Sequence, residues 1–126
     1  MNKYELYTKT ADYFEQHPGH YDFMEVTVPP CGSPGCVIGI MGMIAGETGK
    51  VSDVCQKIIG MSETDFYTEM NRARRLLNSV NWCDCVAVAI ACLRYLVTQE
   101  KILDIISRSD LIHDEIDERK RVMVNV

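Results

Sequence analysis

The chain has 126 residues, 47% of them hydrophobic and 25% charged, ordinary globular usage and enough length to bury a core of its own. Its 18 acidic against 13 basic side chains leave a net charge of −5, which sets nucleic acid and anionic membrane against it and favours a protein partner, a basic one most readily. The longest apolar stretch, around CVIGIMGMIAG, falls far short of the roughly 20 residues that cross a bilayer, and no apolar leader follows MNKYELYTK; a cytoplasmic protein is expected.

Asn2 with Glu5 three residues on makes an N-terminal cap, and Tyr4, Tyr7, Ala11 and Phe14 recur on one face of a first helix that runs to about Gln16. HPGHYDFMEVTVPP, residues 17–30, has three prolines and no helical period, so it reads as a loop with a short extended piece over Glu25–Val28. Ser33 then serves as cap and Pro34 as first residue of a second helix, where a missing N–H costs nothing. Along that helix Gly35, Gly39, Gly42 and Gly46 share a face. Each interior glycine costs about 1 kcal/mol against alanine, so such a face is expected to admit a close neighbour, and the expected neighbour is the fifth helix.

SDVCQKIIG, residues 52–60, reads as a short third helix with Ser52 as cap and Gly60 as stop. Ser62 and Asp65 open a fourth, with Phe66, Met70, Ala73 and Leu77 as its buried face and Arg72, Arg74 and Arg75 near its C-terminal end. Asn81 and Asp84 cap the fifth, which is apolar nearly all round from Cys85 to Leu93 and belongs at the centre of the core. A further helical period follows Gln99, with a break expected at Ser107 and Asp110. The expected fold is therefore all-α: one domain over residues 1–126, a compact bundle of five to six helices around a buried central helix near residues 82–98, with 120–126 a frayed or partner-docking tail. Self-association through that tail, VMVNV, and through Ile105, Ile112, Ile116 and Val124 is a separate expectation.

Of six cysteines, Cys55 and Cys92 fall in apolar helical patterns and read as small core hydrophobes. The segment PPCGSPGCVIGIMGMIAGETGK raises the question of chemistry. It fails as a phosphate loop: Ile44 stands where a glycine is needed, and Val51 follows Lys50 in place of a hydroxyl residue. Cys31 and Cys36 offer half of a zinc site that His17 and His20 would complete, though the familiar paired spacing is missing. Cys36 near a helix start, with a loop histidine as base, is the one nucleophile arrangement, and no oxyanion site accompanies it. His113 sits among carboxylates without a role. Gly60 between two short helices matches a helix-turn-helix, but Glu63 and Asp65 would face the phosphates. The reading taken is structural: Cys31, Gly32, Ser33, Pro34, Cys36 and Gly39 form a helix-entry clasp, with no catalytic residue, no cofactor and no metal.

TADYFEQHPGHYDFM, then CGSPGCVIG with AGE after it, KIIGMSETDF and LRYLVTQEKI together resemble an uncharacterised group of small bacterial and phage proteins. Their core is a Phe-Asp-Met loop followed by Cys-Gly-Thr-x-x-Cys-Ile-x-Gly. The likeness spans about residues 10–104 and is most specific at Cys31, Gly32, Cys36 and Gly39, with Ser33 in the threonine's place and the long acidic C-terminal segment outside it. The resemblance implies a helical fold and a phage context, and no reaction. The function expected is that of a non-enzymatic binding protein acting on a host or defence protein. A DNA-binding regulator, a small-molecule or nucleotide sponge and a zinc-stabilised module are the alternatives.

Overall fold

Asn2 caps α1 (Lys3–Gln16) as its spacing predicts, its side-chain oxygen accepting from the Glu5 N–H at 2.9 Å. The structure, a computed structural model, describes residues 1–30 and 32–108. Within them the fold is all-α: α2 (Val37–Ile44), α3 (Val51–Ile59), α4 (Glu63–Leu76) and α5 (Val86–Arg108) follow, with short 3-10 turns at Pro18–His20 and Trp82–Asp84. No strand longer than an isolated bridge occurs among the described residues.

The apolar spacing of α1 decides what it buries. Leu6, Tyr7, Ala11 and Phe14 are all within 1% of full burial, and Thr10 joins them with its hydroxyl donating to the Leu6 carbonyl at 2.6 Å. That bond removes the cost of burying an unpaired hydroxyl. This face packs on α5, whose Ala89, Cys92 and Leu93 are fully buried. Beside it, Arg94 on α5 reaches Asp12 at 2.9 Å and Glu15 at 2.8 Å on α1. Solvent screens such exposed pairs, so packing holds the two helices together and the pairs help set their register.

The central fifth helix is present but differs from its expected form. Asn81 caps the 3-10 turn, accepting from the Cys83 N–H, and the α-helix starts at Val86; the side chain of Asp84 lies outside the described residues. Ala87 and Ala91 are exposed, so α5 is buried on one side only. Ser107 lies within the helix, which the described residues follow to Arg108, while Asp110, the other half of the expected break, lies outside them. Residues 109–126, and with them Asp110, Ile112, His113, Ile116 and the VMVNV tail, lie outside the described residues, as does the side chain of Ile105.

The third and fourth helices show which local signals count. Ser62 accepts from the Asp65 N–H at 3.1 Å and Gly60 ends α3, both as predicted. Ser52, by contrast, is not a cap: α3 begins one residue earlier, behind Lys50, with no side-chain cap bond. The Val51 N–H is already taken by the Val26 carbonyl at 3.0 Å and needs no side-chain acceptor. Leu77, read as buried, is 39% exposed, while Phe66, Met70 and Ala73 are buried as expected.

Candidate functional site

The second helix begins three residues later than Ser33 and Pro34 suggest. The Gly35 N–H donates to His20 at 2.8 Å, and the Asp22 N–H donates to the Gly35 carbonyl at 2.9 Å. These bonds hold residues 33–35 against residues 20–22, so the helix turns only at Val37 and its cap is Cys36. The Cys36 Sγ accepts from the Gly39 N–H at 3.3 Å. Ser33 instead lies in the preceding bend, its N–H bonded to the Pro30 carbonyl at 3.0 Å. The expected clasp is thus corrected: the cap is Cys36 in place of Ser33, Pro34 lies before the helix, and Cys31 lies outside the described residues. Ser33→Ala is accordingly expected to change stability by less than about 0.5 kcal/mol, whereas Cys36→Ala is expected to cost about 1–2 kcal/mol through the lost cap. Thermal unfolding of the two variants checks this, and the opposite ranking would restore Ser33 as the cap.

The glycine face also meets a different neighbour from the one predicted. Only Gly39 and Gly42 lie inside α2, because the chain turns at Gly46 with φ +76°. A methyl group on Gly39 would stand 3.3 Å from both the Thr27 carbonyl oxygen and Pro29 Cδ. One on Gly42 would stand 2.8 Å from Val28 Cγ2 and 2.9 Å from Val54 Cγ1. The close neighbour is therefore the extended segment Thr27–Pro29, backed at Gly42 by α3, and not α5. That segment confirms the extended piece expected near Glu25–Val28: Thr27 bridges Lys50 in antiparallel fashion, and the Val28 N–H donates to the Gly49 carbonyl at 2.8 Å.

These contacts anchor the loop over residues 17–30 at several points. Tyr13 on α1 hydrogen-bonds His20 Nδ1 at 2.7 Å, and the His17 and His20 rings stack at 5.0 Å. Tyr21 donates to the Trp82 carbonyl at 2.9 Å, and Asp22 accepts from the Met24 N–H at 3.1 Å in a tight turn. Phe23 meets the Trp82 ring edge-on at 5.5 Å, and Tyr67 stacks obliquely on Trp82 at 5.4 Å. Between Phe23 and the bridge, Met24 and Val26 stand out at 79% and 66% exposed. An apolar tip is thus held out by a loop with little freedom to withdraw it.

Beneath the loop lies a group of protonated side chains. Burial pushes the Cys36 thiol up, against the lowering pull of the Gly39 and Ile38 amides, and burial together with the negative charge of Glu63 pushes Cys55 up to about 12. Tyr67, half-buried and donating to Glu63 Oε1 at 2.8 Å, is also raised. At Cys36 desolvation outweighs the helix-start amides, so the thiol is raised and not lowered as a nucleophile would require. Such groups keep their protons in the folded chain at pH values where the unfolded chain releases them. Their stabilising contribution is therefore complete below the unfolded thiol pKa, about 8.5, and is lost as pH rises above it. Unfolding free energy is expected to fall from pH 9 towards pH 12, with a shallower fall for Cys55→Ala; an unchanged slope in that variant would mean Cys55 takes no part.

Of the zinc grouping, Cys31 lies outside the described residues. His17 is exposed, His20 is engaged by Tyr13, and Cys36 points into the cap; among the described residues no group of three His, Cys, Asp or Glu side chains is placed to hold a metal ion. Two features escaped the sequence reading: the Trp82 hub and the Glu63–Tyr67 bond. The spacing of Glu63 and Tyr67, one helical turn apart, was a visible signal, whereas nothing local announces that Trp82 meets Phe23 across 59 residues. Compared with protein-family models, curated proteins and solved structures, the chain matches none.

Proposed function

We propose that this chain is a non-enzymatic binding protein of a phage or mobile element, acting on a host or defence protein through surface contact. The observation that carries the reading is the Met24–Val26 tip: two large apolar side chains, 79% and 66% exposed, on a loop fixed at both ends by backbone bonds to Gly35 and Gly49. A pre-ordered loop loses little conformational entropy when it docks, so its apolar contacts translate into affinity. The phage context rests on the resemblance of CGSPGCVIG and the DFM loop alone. Sequence charge and the carboxylates leading α4 weigh against duplex DNA, and no observation favours the sponge reading.

Affinity capture from host extract with the wild-type chain and with the double variant Met24→Glu, Val26→Glu tests the proposal. A protein retained by the wild type is expected to be lost at least tenfold in the variant, with the two chains unfolding at the same temperature. Equal retention by both, or turnover of a small substrate with nothing retained, would displace the reading.

A further inference from the structure

The chain has seven methionines, and the fold sorts them by how far an oxidant can reach their sulfur. Met41 and Met70 are fully buried, and Met43 and Met61 pack against the core. Met24 and Met1 are exposed, and of these two only Met24 lies on the contact tip; Met123 lies outside the described residues. A peroxide attacks a cysteine as its thiolate, which disfavours three of the thiols. Cys36, Cys55 and Cys92 are buried, and that burial raises all three. Cys83 and Cys85, both half-buried, are the other described thiols. A thioether has no proton to lose, so access alone gates its oxidation, and access is greatest at Met24.

From this arrangement we infer that Met24 is an oxidation switch: a peroxide converts its thioether to the sulfoxide in the free chain, and the altered tip no longer docks. The docking half of the inference rests on the reading of Met24–Val26 as a contact surface. The sulfur gives a lone pair to one peroxide oxygen and the O–O bond breaks. The proton of the transferred oxygen passes to the departing one, which leaves as water, so the sulfur loses two electrons and the peroxide gains them. The product carries a polar S–O group on a side chain whose value in docking is apolar. Covering that oxygen with an apolar partner surface strips it of water without replacing the hydrogen bond, which weakens binding. The fold itself does not depend on the thioether. The turn that carries Met24 is made by Asp22, which accepts the Met24 N–H at its side chain at 3.1 Å and the Glu25 N–H at its carbonyl at 3.3 Å. An exposed sulfoxide on such a turn is also open to a reductase, which makes the switch reversible.

The test treats the purified full chain with hydrogen peroxide for increasing times and maps the sulfoxides by peptide mass spectrometry. Met24 is expected to convert at least about tenfold faster than Met41 and Met70, with the unfolding temperature unchanged while those two remain unmodified. Conversion of Met24 no faster than Met41, or a fall in unfolding temperature at that stage, would overturn the inference. The peroxide is then removed and the chain used for capture from host extract. Retention is expected to drop about tenfold with Met24 oxidised and to return after treatment with methionine sulfoxide reductases. Met24→Leu keeps an apolar tip without sulfur and is expected to retain its partner equally before and after peroxide. Loss of retention by the peroxide-treated Met24→Leu chain would overturn the switch and place the sensitive group elsewhere, at Cys83, Cys85 or Met123. A wild type that retains nothing even before oxidation defeats the contact reading and the switch together, whereas a protein that stays retained after Met24 is oxidised defeats the switch alone.

Discussion

Trp82→Ala is expected to destabilise the protein by about 3–5 kcal/mol, the largest loss of any single truncation here. Trp82 is 1% exposed and contacts Phe23 and Tyr67 with its ring faces and edges. Its indole N–H donates to Asn71 at 3.0 Å, and its carbonyl accepts from Tyr21. One side chain thus ties the loop, α4 and the entrance of α5 together. Truncation leaves a cavity bounded by aromatic rings on separate elements, which cannot all move inward at once. Trp82→Phe keeps most of the apolar volume and gives up the bond to Asn71, so about 1–2 kcal/mol is expected there. Urea unfolding followed by circular dichroism measures both, since the fluorescence of the only tryptophan is lost with it. An alanine variant within about 1 kcal/mol of the wild type would show that the loop is held by its backbone bonds alone.

That hub also shows what a sequence makes visible and what it conceals. Helices α1 and α4 were legible because their caps and apolar stripes are local: Asn2 acts on Glu5, Ser62 on Asp65, and Phe66, Met70 and Ala73 follow at helical intervals. The start of α2 was misread because a long-range event overrode a local one. Ser33-Pro34 has the chemistry of a helix start, yet pairing of Gly35 with His20 and Asp22 keeps the chain extended until Cys36. The glycine face was correctly read as a site of close approach, but its partner was not, because a stripe of small residues specifies a separation and says nothing of what fills it. The Met24–Val26 tip was legible only as loop. Its exposure depends on Phe23 turning inward to Trp82, and alternation within DFMEV does not reveal which side chain that will be.

The second large effect is at Gly42, where two terms of opposite sign compete. In an exposed helix, Gly→Ala gains about 1 kcal/mol from backbone entropy. Here the added methyl meets Val28 Cγ2 at 2.8 Å and Val54 Cγ1 at 2.9 Å, both closer than van der Waals contact permits. Neither side chain can swing away, because valine is branched at Cβ and its χ1 is stiff. Val54 is 4% exposed within α3, and Val28 is tied to Gly49 through its own N–H. Relief must therefore come from the backbone, by parting α2 from the extended segment or from α3. Overpacking of this kind costs about 1–3 kcal/mol, so Gly42→Ala is expected to lose about 1 kcal/mol net, and Gly42→Val, larger and without the helix-forming gain, about 3 kcal/mol or more. Gly19→Ala is the control, since nothing lies within 4 Å of its added methyl, and it is expected to stay within about 0.5 kcal/mol of the wild type. Because the segment displaced by Gly42→Val leads directly from Val26, partner capture should fall in that variant even at a temperature where it remains folded. A Gly42→Val chain as stable as the wild type would mean that Thr27–Pro29 lies loosely on α2, and the rigid presentation of the Met24–Val26 tip would lose its structural basis.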